Sequence, residues 1–277
     1  MPFSILLQGY PTENAPVPHV QGATVQGMFL NLLEQVDPTV ARRLHDDSKY
    51  RPYTLSPLGI GEPTKNFDGF RLPCQYDLRA GTPCYLRICL LEDSIFPTFS
   101  RYFLDRPEPL FRLGGSNFKV TDVLVSQNGS SPWCAYVPYE QLIDTASHSL
   151  RKITLQFLTP ASFRRGNVDF PLPDSRLVFR SYRLRFEEFC RLVHFPDDFD
   201  EQVEFHTGIA RLYHLETLLL KTKRVSLIGF TGRVTYQLDS QAPPDLIARM
   251  NLLADFAFFC GTGRKTAIGM GQTIRLR

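Results

Sequence analysis

Apolar and polar positions follow two rhythms along this chain, and the order in which they alternate predicts its elements. Phe3-Ser4-Ile5-Leu6-Leu7-Gln8 is a short apolar run closed by Gly9, Pro11, Pro16 and Pro18, a strand followed by an extended connection. Val25, Met28, Phe29, Leu32, Leu33 and Val36 then recur at three- and four-residue spacing, predicting a helix that Thr24 caps and Asp37-Pro38 ends. A second short helical piece, residues 39–44, delivers His45, and Tyr53-Thr54-Leu55-Ser56-Pro57-Leu58 alternates as a strand. Further strands are expected at residues 70–78, 85–91 and 118–125, while residues 97–109 read as the second helix of this half or, alternatively, an irregular loop. Gln127-Asn128-Gly129-Ser130-Ser131-Pro132, a cluster of turn formers, is the best linker.

The pattern restarts after that link. Ile153, Leu155 and Phe157 alternate with polar residues over residues 152–160, a strand with one buried face. Acidic residues 197–204 precede a helix or extended piece through Leu212, Leu215 and Leu219. Residues 225–238 form the most obvious strand, with a bulge or bend at Gly229-Phe230-Thr231-Gly232. Pro243-Pro244 opens a last helix in which Leu246, Ile247, Met250, Leu253, Ala254 and Ala257 repeat helically. Phe230, Phe256 and Phe258 read as core rather than base-stacking platforms. Each half thus runs strand, helix, strands, helix, strand. That is an α+β arrangement of two tandem ferredoxin-like (RRM-like) domains, residues 1–132 and 133–277, with antiparallel sheets and helices on one face.

The length of 277 residues with 43% hydrophobic content accommodates two such cores. A net charge of +3 identifies no partner, but its distribution is informative. Residues 151–185 hold eight Lys/Arg against Asp169 and Asp174; residues 221–233 and 261–277 hold no acid; residues 187–204 hold seven acids against Arg191. Three basic segments in one half can converge on a polyanion. The six cysteines include no Cys-x-x-Cys pair and sit mostly among apolar neighbours, as reduced, buried thiols do. His206 and His214 lie eight apart with no carboxylate cluster, so neither metal nor cofactor is expected. No apolar run approaches the roughly 20 residues of a membrane span, and the start lacks a basic signal-peptide opening. A cytoplasmic protein with no membrane partner is the expectation.

The candidate chemistry lies in two places. Gly261-Thr262-Gly263-Arg264-Lys265-Thr266-Ala267-Ile268-Gly269-Met270-Gly271 combines four glycines with an adjacent cation pair, the composition of a phosphate cradle with exposed amides. It is not a nucleotide-triphosphate loop, because Arg264 separates Gly263 from Lys265 and Phe258 fills the earlier glycine slot. Nor is it a dinucleotide fingerprint, because Thr266 stands where a third glycine is needed. Residue chemistry alone leaves two readings, a cradle or a glycine-rich turn between a helix and a final strand. The second place is His45, in Arg42-Arg43-Leu44-His45-Asp46-Asp47-Ser48-Lys49-Tyr50-Arg51-Pro52, where so many charges argue against a core histidine and leave a solvated one.

The glycine-rich ending resembles the C-terminal signature of the CRISPR-associated endoribonucleases that cut repeat RNA. Tyr53-Thr54-Leu55-Ser56-Pro57 resembles the Phe-Thr-Phe-Ser-Pro strand that follows the catalytic histidine in that family. Residues 152–181 (a strand, Thr159-Pro160, Phe163, basic Arg164-Arg165, Pro171-Leu172-Pro173, Val178-Phe179) resemble the opening of its second half. The resemblance implies metal-independent cleavage of CRISPR repeat RNA by 2′-hydroxyl attack, leaving a 2′,3′-cyclic phosphate and a 5′-hydroxyl. Such a reaction needs a base, an acid and a cation for the phosphorane charge. It places proton transfer at His45, charge at Lys49 or Arg51, and assistance at Tyr50 or Tyr53. Gly261, Gly263, Arg264, Lys265, Gly269 and Gly271 then hold backbone phosphates, with Arg164 and Arg165 extending the track. The alternative is a non-catalytic RNA-binding subunit, and the expected partners are CRISPR repeat RNA or CRISPR effector complex subunits.

Overall fold

A computed structural model of the chain describes residues 1–16, 22–46, 49–63, 70, 78–126, 131–221 and 226–277. They divide into two compact units, Met1–Tyr136 with Ala267–Gly269, and Val137–Thr266 with Met270–Arg277. Among the described residues no helix is long and apolar enough to cross a membrane.

In the first unit the order is β1 (Phe3–Pro11), α1 (Ala23–Glu34), α2 (Pro38–His45), β2 (Tyr53–Leu55), β3 (Gly59–Ile60), β4 (Cys84–Leu90), α3 (Phe96–Leu104), β5 (Leu110–Leu113), β6 (Ser116–Leu124) and β7 (Ala135–Tyr136). The main path of its antiparallel sheet is β2-β4-β1-β6-β5. Phe3, Ile5 and Leu7 of β1 stand opposite Leu90, Ile88 and Leu86 of β4, so one sheet face is continuously apolar. That face and the helical stripe Val25, Met28, Phe29, Leu32 and Leu33 form one buried cluster. Thr24 does not cap α1: Gly22 occupies the N-cap and no side chain bonds the first turn. Asp37 serves the next helix instead, its carboxylate accepting from the amides of Thr39 at 2.8 Å and Val40 at 3.3 Å. Residues 97–109 resolve into α3 and a short connection to β5. Most of the expected strand at residues 70–78, Cys74 within it, and linker residues 127–130 lie outside the described residues.

The second unit runs α4 (Tyr139–Asp144), β8 (Lys152–Ala161), β9 (Phe163–Arg165), β10 (Val168–Phe170), α5 (Ser175–Phe189), α6 (Phe199–His206), β11 (Thr207–Lys221), β12 (Ser226–Leu238), α7 (Pro244–Cys260) and β13 (Thr273–Leu276). Its sheet has the order β11-β12-β8-β13, antiparallel throughout, which with α5 and α7 is the ferredoxin-like pattern. Ile153, Leu155 and Phe157 are buried as their alternation predicts, and the Gly229–Gly232 stretch carries a register shift between Phe230 and Gly232. Phe230 and Phe256 are core.

One element differs from expectation, and one open choice is settled, for a shared reason. The acidic segment is itself helix α6, because its carboxylates meet the arginines of α5: Arg176 with Glu201 and Glu204 at 2.6 Å each, Arg183 with Asp200 at 3.0 Å. The leucines beyond it, helically spaced, belong to β11, whose pairing with β12 runs from Thr207 to Lys221. Tertiary partners override local periodicity in both places.

Cys84, Cys89, Cys134, Cys190 and Cys260 are free and buried. Burial pushes the Cys84 thiol up to about 12 and the Cys134 thiol to about 11. In a Cys74→Ser chain, DTNB at mildly alkaline pH is therefore expected to report almost no thiol until denaturant is added; prompt native reaction at these positions contradicts the packing.

Candidate functional site

His45 is the last residue of α2 and is exposed. Helix α2 ends there because Asp46 turns to extended backbone, and the Arg51 guanidinium closes the end by donating to the carbonyl oxygens of Leu44 and Asp46. Arg51 thus grips the backbone on both sides of His45. Lys49 is exposed, its ammonium 5.3 Å from the ring centroid of the half-buried Tyr50. Tyr53 is placed otherwise: it is fully buried, stacks obliquely on Phe29 at 4.8 Å, and its hydroxyl accepts from Gln26 Nε2 at 2.9 Å. Burial raises its pKa, with the Gln26 bond and the Arg51 charge acting in the opposite direction. As a neutral phenol inside the core, Tyr53 braces β2 against α1.

The glycine-rich segment joins α7 to β13, and it is a closed knot rather than an open cradle. Gly261, Gly263, Gly269 and Gly271 are all buried. The amide of Thr262 donates to Gly271 O at 2.7 Å, Arg264 to Ser162 O at 2.9 Å, Gly271 to Pro160 O at 3.0 Å, and Gln272 to Thr159 Oγ1 at 2.8 Å. Gly263 N reaches Ser181 Oγ at 3.3 Å. These amides are spent on the protein, which corrects the expectation that they face outward. The glycines serve close approach: a Cβ at Gly263 (φ 72°) falls 2.3 Å from Ser162 O, and one at Gly271 (φ 68°) falls 2.0 Å from Thr262 O.

Beneath the knot lies a chain of hydroxyls, Tyr182 to Thr262 at 2.6 Å and Thr262 to Thr273 at 2.6 Å. Burial drives the Tyr182 phenol far above the ordinary tyrosine range, so it remains a hydroxyl. Arg185 adds a bond from its guanidinium to Gly263 O. Helix α5, whose arginines and tyrosine sequence periodicity did not assign to the loop, is therefore its support.

The cation pair divides. Arg264 is partly buried and ion-paired with Asp169, so its charge is not free. Lys265 is exposed in the left-handed region at φ 62°, and no carboxylate among the described residues pairs with it. Asp169 also stands opposite Arg164 in the β9–β10 hairpin, which brings Arg164, Arg165 and Arg264 into one neighbourhood. There Arg164 is exposed and bonds the carbonyls of Gly166 and Asn167 at 3.2 and 3.3 Å. Arg165 covers the Phe170 ring at 3.8 Å and meets Asp174 at 3.3 Å. In the sequence Asp169 stood out only as one of two acids in a basic stretch.

Comparison with known families fits this layout. A model of the CRISPR Cas6 N-terminal domain matches residues 1–144, and one of CRISPR-associated endoribonuclease Cas6 matches residues 155–273. The chain belongs to the Cas6 family. A Streptococcus thermophilus CRISPR-associated endoribonuclease Cas6 is 29% identical over 119 residues, 42% of this chain and 46% of that protein, so the match spans about half of that relative's length. A Cas6 product complex is 27% identical over 100% of both chains, with a TM-score of 0.81. A Thermus thermophilus Cas6 structure is 26% identical over 100% of this chain and 98% of its own, with a TM-score of 0.74. The tandem ferredoxin-like fold of the Cas6 structures is the fold of this chain.

Gly271→Ala is expected to destabilise the second unit by about 2–3 kcal/mol, from the clash with Thr262 O and the unfavourable φ, lowering its melting temperature by roughly 5 °C or more. An unchanged thermal melt contradicts the knot.

Proposed function

We propose that this chain is a metal-independent endoribonuclease that cleaves CRISPR precursor RNA within its repeats. The ribose 2′-oxygen forms a bond to the adjacent phosphorus while the bond from phosphorus to the 5′-oxygen breaks, leaving a 2′,3′-cyclic phosphate and a 5′-hydroxyl. A proton must leave the 2′-hydroxyl and another must reach the departing oxygen. His45 carries this role, and the observation that carries the reading is its placement: an exposed imidazole on a helix end held by Arg51. An imidazole moves protons readily near neutral pH. Family membership supports the substrate class, as do relatives described as Cas6 product and substrate-mimic complexes.

Lys49, exposed in the same segment, supplies positive charge to the phosphorane. Arg51, committed to backbone carbonyls, and Tyr53, inside the core, position the segment rather than touch RNA. On the second unit Lys265 and Arg164 meet backbone phosphates, and the four loop glycines with Arg264 shape the surface that presents them.

His45→Ala is expected to lower single-turnover cleavage of a cognate repeat in EDTA by about 10²–10⁴-fold while the RNA dissociation constant stays within about twofold. Equal cleavage by mutant and wild type assigns the chemistry elsewhere; a gel shift without cleavage by wild type leaves a binding subunit.

Lys265→Ala is expected to weaken repeat binding and reduce the slope of log affinity against log salt by about 0.7–0.9. Arg264→Met should instead act on the thermal melt, because it strands Asp169. If the two substitutions change the salt slope alike, the division of the pair is wrong.

A further inference from the structure

Nothing in proton transfer or phosphate contact requires the tripeptide Ala267–Gly269 to lie in the first unit, yet it does. Ala267 is buried in the apolar cluster that also holds Ala41 and Leu44 of α2, Leu55 of β2 and Leu58 just beyond it. Gly269, at φ 98°, faces the Pro57 ring so closely that a Cβ placed on it falls 3.2 Å from Pro57 N and 3.4 Å from both Cγ and Cδ. Such an approach, in the left-handed region, suits glycine alone.

β2 is the outermost strand of its sheet, so pairing holds it along one edge, through Tyr53, Thr54 and Leu55 opposite Leu90, Cys89 and Ile88 of β4. Ser56 continues that side, its amide donating to Arg87 O at 2.8 Å and its hydroxyl accepting from Arg87 N at 2.8 Å. All of these bonds run to β4. Displacement of the corner at Pro57 is opposed by whatever packs upon it, and the tripeptide packs there.

His45 feels this corner by two routes. Leu44, the residue before it, is buried in the same cluster as Leu55, Leu58 and Ala267. Arg51, which leads through Pro52 directly into β2, donates to the carbonyl oxygens of Leu44 and Asp46 on either side of His45. A shift of β2 therefore moves the grip on the histidine's backbone. Core filling alone explains the Ala267 methyl, but it leaves Gly269, which brings no side chain to bury, without a reason to sit on Pro57.

We propose that Ala267 and Gly269 are positioning residues for His45: seated against the Leu55–Leu58 corner, they set the place of β2 and, through Leu44 and Arg51, the direction of the imidazole. The inference rests on the reading of His45 as the residue that moves protons.

Single-turnover cleavage of a cognate repeat in EDTA, followed over a range of protein concentrations, separates the rate at saturation from affinity. Ala267→Val in the full chain is expected to lower the saturated rate about 10–100-fold, the cost of misplacing a reacting group by about an ångström, with the half-saturating concentration within about twofold of wild type. Gly269→Ala should lower the saturated rate by at least as much, because its Cβ bears on Pro57. Ala267→Gly, which removes one methyl from the same place, carries the expectation at about three- to tenfold if Ala267→Val does not fold. Leu113→Val is the control: it disturbs the same cluster from β5, at the far end of the sheet, and is expected to lower the melting temperature while the saturated rate stays within about twofold. Carbon-13 NMR of labelled histidine, with the His45 resonance identified by its loss in His45→Ala, should show that resonance moved in the Ala267 and Gly269 variants and unmoved in Leu113→Val. The proposal is overturned if the Ala267 and Gly269 variants cut at the wild-type saturated rate with the resonance unmoved, or if Leu113→Val slows cleavage as much as they do. A His45→Ala chain that cuts as fast as wild type, while Ala267→Val still moves the His45 resonance, defeats the cleavage reading of His45 alone. Slow His45→Ala beside Ala267 and Gly269 variants that match wild type in rate and resonance defeats this inference alone.

Discussion

Three hydroxyls meeting in the interior hold the second unit's working end in shape. Thr262 sits on the limb leaving α7, Thr273 on the limb entering β13, and Tyr182 reaches both from α5 through Thr262. A buried hydroxyl without a partner costs a few kcal/mol, so each member holds the other two in register. With the limbs clamped, the amides between them find acceptors on Thr159, Pro160, Ser162 and Ser181, and β13 aligns along β8. Only then does the chain have a reason to place Lys265 outside, in a backbone conformation that a residue with a side chain adopts reluctantly.

Much of this was legible in the residues, and the misses share a cause. Period-two alternation located β8 and β12, and three- and four-residue spacing located α1 and α7, because in those elements one face meets a core and the pattern records it. The β11 leucines left helix and extended piece both open because both faces of this edge strand are largely exposed, so no burial disciplines their spacing. Helix α5 went unread since its outward face is arginine and its inward face aromatic, a pattern that resembles a basic loop until α6 supplies the countercharges. The glycines were read for their freedom and are used for their smallness. Composition cannot tell an amide that waits for an anion from one already bonded to Ser162.

Charge shows the same limit. Arg164-Arg165, Arg176, Arg183 and Arg264 look equivalent in a count, yet the fold assigns most of them to acids far away in sequence, at separations of 95 residues for Arg264 and Asp169 and 25 for Arg176 and Glu201. Such pairs orient helices and hairpins while contributing little long-range attraction, since opposite charges in contact cancel at a distance. What attracts a polyanion is the remainder, cations whose neighbours leave them unmatched. In the first unit Arg87 is likewise spent inside the protein: it is buried, donates from Nε to the Ser4 hydroxyl at 2.8 Å, and burial lowers its pKa.

Ala267, Ile268 and Gly269 belong to the first unit although the chain on either side of them belongs to the second, and Ala267 joins the apolar cluster built around Phe29 and Leu55. Severing the chain after Tyr136 yields one fragment whose interior lacks a piece and another carrying three residues evolved for someone else's core. A half taken from another chain meets the same obstacle, because the place of Ala267 in the first unit's apolar cluster is filled from beyond residue 136.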